Sequence, residues 1–266
     1  MMGIGQSSGA YVFRPDFDGR KSISDSPNVT TISGPLVNEI IVTLADWAVY
    51  TTREYIDNDI TEVTWQVGPL VDGKEVVMVY NSDVLNNDFY TDANGRQMMK
   101  RVVNEFTAER EAANYYPVTN RIEKREDSGS NVVSVITDRS QGGSSLKAGE
   151  LELMVHRRCL YDDGYGVGES LMEEAYGTGL VARGHHFLMT QTTAAARLLQ
   201  QEKVLTPQLS LISTSLSSEE WLSTNFQPYS GLSVELPASI QLLTMSKWKG
   251  DNKILLRFQH IFDKVS

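Results

Sequence analysis

The chain has 266 residues and a mass of 29.7 kDa, enough to bury one large core or two modest ones and too much for a peptide hormone or a bare tail. With 41 % hydrophobic and 22 % charged residues it has a globular composition, and no apolar run approaches the roughly 20 residues of a membrane helix. Its 34 acidic against 24 basic residues give a formal charge of −10 and a pI near 4.9, a balance that repels nucleic acid and anionic lipid.

In chain order, Met1–Tyr11 lacks the basic start and the apolar run of about 7–15 residues that mark a secretory signal. The triplet Asn28-Val29-Thr30 is an N-glycosylation sequon, suited to a surface loop in a secreted protein. Strands are expected over Asn38–Leu44, Asp46–Thr51, Thr61–Val67 and Lys74–Tyr80, where Val, Ile, Tyr and Trp recur with a period of two. Turn formers such as Asp72-Gly73 and Asn94-Gly95 separate such runs. Met99, Val102, Val103 and Phe106 fall at helical spacing and predict a helix over Met98–Ala112. Val132–Thr137 reads as a strand, Arg139–Ser145 as a tight turn and Leu151–His156 as a strand again. Further strands are expected at His185–Thr190, Leu209–Ile212, Ile240–Met245 and Ile254–Ile261. Thr192–Lys203 predicts a helix, with alanines at 194–196, Thr192 or Thr193 as N-cap and Pro207 beyond its end. Lacking the regular interleaved helices of a parallel sheet, the pattern specifies an all-β chain: one large antiparallel β-sandwich over 1–266 with one or two short helices.

Candidate chemistry is thin. His185 and His186 are adjacent, so on a strand they point to opposite faces and cannot share a metal ion without a bulge. The plainer reading is one packed ring and one exposed. Asp162, Asp163, Glu169, Glu173 and Glu174 could in principle supply the two carboxyl groups of a glycosidase, roughly 5–9.5 Å apart, but acidic residues beside Gly164, Gly166 and Gly168 are also ordinary loop composition. Arg139–Ser145 lacks the Gly-Lys-Ser/Thr end of a phosphate loop, and no nucleophile elbow surrounds Ser144 or Ser145. Cys159 is the single cysteine, so no intrachain disulfide forms. Arg157 and Arg158 follow a strand, and alternation lets only one of them face any given side. A structural ion pair and a guanidinium fork for a sugar hydroxyl or a carboxylate both remain open for them.

Longer strings are more specific. Ser8-Gly9-Ala10-Tyr11-Val12-Phe13-Arg14-Pro15, Phe89–Arg96, Asn114–Val118, Asp138–Ser145, Gly149–Arg158 with Asp162-Asp163 and Gly166–Glu169, and finally Leu236–His260 follow one another in order. This series resembles the C-terminal half of class II α-mannosidases, glycoside hydrolase family 38 of the lysosomal type, over nearly the whole chain. The resemblance implies a galactose-mutarotase-like β-sandwich from a retaining, zinc-dependent enzyme that hydrolyses terminal α-mannose from N-glycan oligosaccharides in the lysosome or vacuole. It further implies that the zinc, the nucleophile and the acid/base lie in a catalytic barrel absent from this stretch, so that the chain is a non-catalytic fragment whose partners are that barrel and the oligosaccharide. By the same resemblance Tyr11 and either Arg157 or Arg158 line the substrate site, and an apolar surface around Tyr11 and Phe13 meets the barrel. The alternative is an autonomous carbohydrate-binding module that presents Tyr115, Tyr116 or Tyr165 to mannose. An independent hydrolase using the carboxylates around Asp162 ranks third.

Overall fold

The computed structural model describes residues 8–15, 20–104, 109–127, 131–164, 166–225, 230–250 and 252–263. Four strands open the chain, β1 (Asn28–Ser33), β2 (Val37–Ala45), β3 (Ala48–Tyr55) and β4 (Ile60–Val67), each pairing antiparallel with the next. Next come β5 (Lys74–Asn81), β6 (Asp88–Ala93), β7 (Gln97–Val102), a one-turn helix α1 (Arg110–Ala113), β8 (Tyr116–Val118), β9 (Arg121–Arg125), β10 (Val132–Thr137), β11 (Gln141–Ser144) and β12 (Glu150–Arg158). A small hairpin of β13 (Glu174–Ala175) and β14 (Thr178–Gly179) precedes β15 (Ala182–Gln191). The C-terminal part holds α2 (Thr193–Val204), α3 (Ser218–Thr224), β16 (Ile240–Lys247) and β17 (Ile254–His260).

Nine strands form one sheet in the order β1-β2-β3-β4-β15-β10-β9-β6-β7, and four form a second in the order β5-β12-β11-β8. Every pairing is antiparallel, and side chains from the two sheets meet in a common core, as the all-β sandwich reading requires. One cluster joins Phe89, Ile122 and Val135 of the large sheet to Val118, Leu151 and Leu153 of the small one. A second joins Trp65 and Val67 to Val76 and Val155, with Leu70 beside them. Each such side chain, fully buried, contributes roughly 1.5–3 kcal/mol relative to exposure.

The chain divides into two compact units, Met1–Ala196 with Ser266, and Arg197–Val265. The first contains the sandwich. Within the second, Arg197 donates from Nε to the Ile261 carbonyl at 2.9 Å, and Ser217 and Glu220 form a reciprocal capping box on α3. Thr192 caps α2 through Oγ1, which accepts from the Ala195 amide at 3.2 Å.

Three expectations are corrected. The helix expected over Met98–Ala112 is strand β7 followed by the single turn α1, while Phe106 lies outside the described residues. Asn94 and Gly95, at φ 55° and 67°, fold β7 back on β6 through a tight hairpin turn, and cross-strand pairing overrides the local helical spacing. The tight turn expected over Arg139–Ser145 is mostly strand β11. A Cβ on Gly143 would come within 2.6 Å of Val118 Cγ2 on the inner face, and one on Gly142 would meet Tyr115 Cδ1 at 3.2 Å on the outer face. The glycines therefore serve close packing on both sides of β11, with no turn to make. Finally, Leu209–Ile212 is exposed and forms no strand, since no segment among the described residues pairs with it.

Candidate functional site

β12 sets the geometry. Leu151 and Leu153 point into the core, so Glu152 and Met154 belong to the outer face of the small sheet. Strict alternation would continue inward with Arg157 and outward with Arg158. The ladder to β5 instead shifts register between Met154 and His156, an irregularity that absorbs Val155. This bulge resets the alternation and puts Arg157 on the outer face with Glu152 and Met154.

There Arg157 lies opposite Glu75 of β5. Its Nε and Nη2 reach Glu75 Oε1 at 2.7 and 2.6 Å, and Nη2 also donates to the Val12 carbonyl at 2.9 Å. The arginine thus ties the opening segment to the sheet. The same segment is held by Ser8 Oγ donating to Glu75 Oε2 at 2.9 Å, and by the Tyr11 amide donating to Asp163 Oδ2 at 2.9 Å. A Cβ on Gly9 would lie 2.5 Å from the Asp163 amide nitrogen, so only glycine permits this approach.

Between the segment and the outer face runs a cleft of about 590 Å³ whose lining includes Tyr11, Phe13, Tyr115, Gln141, Met154 and Arg157. Tyr11 is 65 % exposed, with its ring turned to solvent. Phe13 packs edge-on against Tyr115, centroids 4.7 Å apart. The Tyr115 hydroxyl donates to Glu152, which also pairs with Arg20 at 2.6 Å. Burial, and then the Glu152 charge, push the Tyr115 phenol well above its ordinary range, so it stays protonated. The Gln141 amide donates to the Met154 carbonyl at 2.8 Å, which fixes its orientation. Its Oε1 therefore accepts from His186 Nε2 at 2.8 Å, leaving Nδ1 to accept from the Tyr80 hydroxyl at 2.7 Å. A wholly buried imidazole thus braces a residue of the cleft from behind.

Residues 2–165 match the family described as glycosyl hydrolases family 38, C-terminal domain. The chain belongs to glycosyl hydrolase family 38. It is 39 % identical to the lysosomal alpha-mannosidase of Homo sapiens across 97 % of this chain and 26 % of that protein. To the alpha-mannosidase of Canavalia ensiformis it is 34 % identical, across 97 % of this chain and 28 % of the relative. The chain therefore spans about a quarter of the length of these family 38 relatives. Its fold resembles a solved family 38 protein from Enterococcus faecalis, at a TM-score of 0.51 and 7 % identity over 67 % of this chain and 24 % of that one.

Within this family 38 sandwich, Tyr11 and Arg157 come together at one cleft, although far apart in sequence. Arg158 points elsewhere, to Asp72 at 2.6 Å and Glu174 at 3.2 Å, as a structural ion pair. Asn28 begins β1 and is exposed, on a strand instead of a loop. Phe13 is half-buried against Tyr115, leaving Tyr11 as the exposed member of the apolar surface expected there. Of the loop carboxylates, Asp163 holds the Tyr11 amide, Asp162 accepts from the Gly164 amide at 3.0 Å, and Glu174 pairs with Arg158. His186 is packed and His185 half-exposed against Glu62, as adjacent residues on a strand should be. Among the tyrosines considered for sugar recognition, Tyr116 is wedged between Phe89 and the Arg101 guanidinium, and Tyr165 lies outside the described residues.

Sequence reasoning missed Glu75, Gln141 and the tyrosine–carboxylate pair Tyr115–Glu152. Glu75 carried a signal in hindsight: a carboxylate on a strand, in a chain with an arginine pair at a strand end, invites a cross-strand ion pair. Gln141 carried none.

Proposed function

We propose that this chain is the supporting sandwich of a longer α-mannosidase, and that its cleft faces the site where terminal α-mannose is removed from N-glycan oligosaccharides. One observation carries the reading: the exposed Tyr11 and the charged Arg157 converge on one open cleft. A phenol hydroxyl and a five-donor guanidinium suit sugar hydroxyls and a catalytic carboxylate. Glu75 neutralises Arg157 in part and fixes its plane, so little rotamer freedom is lost on binding.

The chemistry belongs to the rest of the parent protein. A retaining glycosidase needs two facing carboxyl groups, and the acidic residues in and beside the cleft are engaged in holding the fold: Glu109 by Arg14, Glu75 by Arg157, Glu152 by Tyr115 and Arg20, Asp163 by the Tyr11 amide. A zinc ion fits none of the described donor sets. His186 uses both ring nitrogens, His185 bonds Glu62, and His156 and His260 bond the backbone carbonyls of Leu180 and Phe262. We therefore assign the zinc and the catalytic carboxylates to the barrel. Like its lysosomal relatives, the parent acts in the lysosome or vacuole.

Two measurements test this. The isolated chain should not turn over an aryl α-mannoside with zinc added, and turnover at the rate of a full-length relative would overturn the division of labour. In the full-length parent, Arg157→Lys should lower kcat/KM by roughly 100-fold, the scale of losing one preorganised donor, while Arg158→Lys should lower thermal stability with kcat/KM nearly unchanged. The reverse pattern would overturn the assignment of the cleft. Fluorescence titration of the isolated chain with mannose oligosaccharides tests the autonomous module, which requires saturable binding without the barrel.

A further inference from the structure

We propose that Asn28 carries an N-linked oligosaccharide that lies across the outer face of the nine-stranded sheet and covers its open β1 edge. The inference rests on the secretory destination proposed above, but its evidence is separate. β1 is the terminal strand of the large sheet, so among the described residues one side of its backbone has no strand to pair with. All six of its residues are exposed, with Val29 at 53 % and Ile32 at 50 %. Edge strands are ordinarily protected by lysine, proline, a bulge or an inward charge, and Asn28-Val29-Thr30-Thr31-Ile32-Ser33 has none of these. What it has is a sequon. Asn28 and Thr30 are two residues apart on a strand, so amide and hydroxyl share one face.

That face leads to a receptive groove. Asn28 pairs with Thr43, Thr43 with Val49, Val49 with Gln66 and Gln66 with Arg183, a single row across five strands. Val49, Gln66 and Arg183 line a groove of about 510 Å³ together with Thr51, Thr64 and His185. Two strand spacings, roughly 10 Å, separate Asn28 from its near wall. The groove's chemistry suits an uncharged polyol more than an ion. Asp138 and Arg139 satisfy each other through two contacts at 3.0 and 2.9 Å, and His185 faces Glu62 at 3.1 Å. Arg183 donates to Gln66 at 2.6 Å, which aligns guanidinium and amide along the row, with the Thr51 and Thr64 hydroxyls beside them. In the transfer itself Asn28 Nδ2 bonds to the anomeric carbon of a lipid-diphosphate-linked oligosaccharide. The amide gives up one proton, and the sugar–phosphate bond breaks to release the lipid diphosphate.

The test is expression of the chain behind a secretion leader in a eukaryotic host, with glycopeptide mass spectrometry on denatured protein. Transfer occurs on the nascent chain, so this readout does not depend on folding. Occupied Asn28 is expected in the parent sequence and in Thr30→Ser, with loss in Asn28→Gln and Thr30→Ala. An unmodified Asn28, in cells that modify a control sequon, overturns the proposal. Hydrogen exchange should then be slower in the glycosylated protein than in enzymatically deglycosylated protein over β1 and over residues 49–51, 64–66 and 183–185. Equal rates there overturn the seating of the sugar chain. Neither readout involves mannosidase activity, so failure here and failure of the proposed function are separable.

Discussion

His186 shows how much one buried ring can determine. It is fully enclosed, bonded on one nitrogen to Tyr80 and on the other to Gln141, and burial takes its pKa down to about 3. In the unfolded chain an imidazole titrates near 6.5. Below that value the unfolded state binds a proton that the folded state refuses, so the stabilisation is complete above pH ~6.5 and is lost as pH falls toward ~3. The slope approaches about 1.4 kcal/mol per pH unit. Melting temperatures measured from about pH 7.5 to 4.5 should fall for the parent chain, and less steeply for His186→Gln. An equal pH dependence in both would rule out this account. Glycine positions were as telling as charged ones and far harder to read. A Cβ on Gly184 would lie 2.3 Å from the Trp65 ring, so its need for glycine comes from a residue more than a hundred positions away.

Among the elements, strands with both a two-residue period and a bounding turn were legible in the sequence. β4, β5, β10 and β16 fall where Thr61–Val67, Lys74–Tyr80, Val132–Thr137 and Ile240–Met245 indicate. β7 and β11 were not, because their identity depends on what they pair with: β6 across an Asn-Gly turn in one case, and Val118, Ile122 and Tyr115 packed on bare glycine in the other. The bulge in β12 was equally invisible, although it decides between Arg157 and Arg158. The strand assignment of β7 has a direct check. Met98 is buried and Met99 is 37 % exposed, so Met98→Asp should cost about 2 kcal/mol or more by urea denaturation, and Met99→Asp under about 1 kcal/mol. Similar losses at both positions would contradict the alternation.

At the scale of the molecule, the resemblance to family 38 was legible because long strings recur in order, and several of those strings are now seen to be parts that meet: Gly9–Tyr11 on Asp163, Gly142-Gly143 under Tyr115 and Val118, Arg157 on the Val12 carbonyl. The two compact units should differ in local stability. The sandwich unit buries whole strands, whereas in the second unit β16 and β17 form a two-stranded sheet with Met245, Ile254 and Phe258 more than half exposed. Two-stranded hairpins are marginal by themselves, so amide exchange should be fastest in β16 and β17 and slowest in β9, β10 and β12; uniform protection would contradict this. The sheet order also constrains how the protein is made. β15 is seated between β4 and β10, bonded to both. As the ribosome delivers the chain, the first four strands must wait with β4's flank unpaired until Ala182–Gln191 emerges. Throughout that interval a growing polypeptide holds two half-sheets that only its own later segment can unite, which makes this interval the time when a chaperone would matter most.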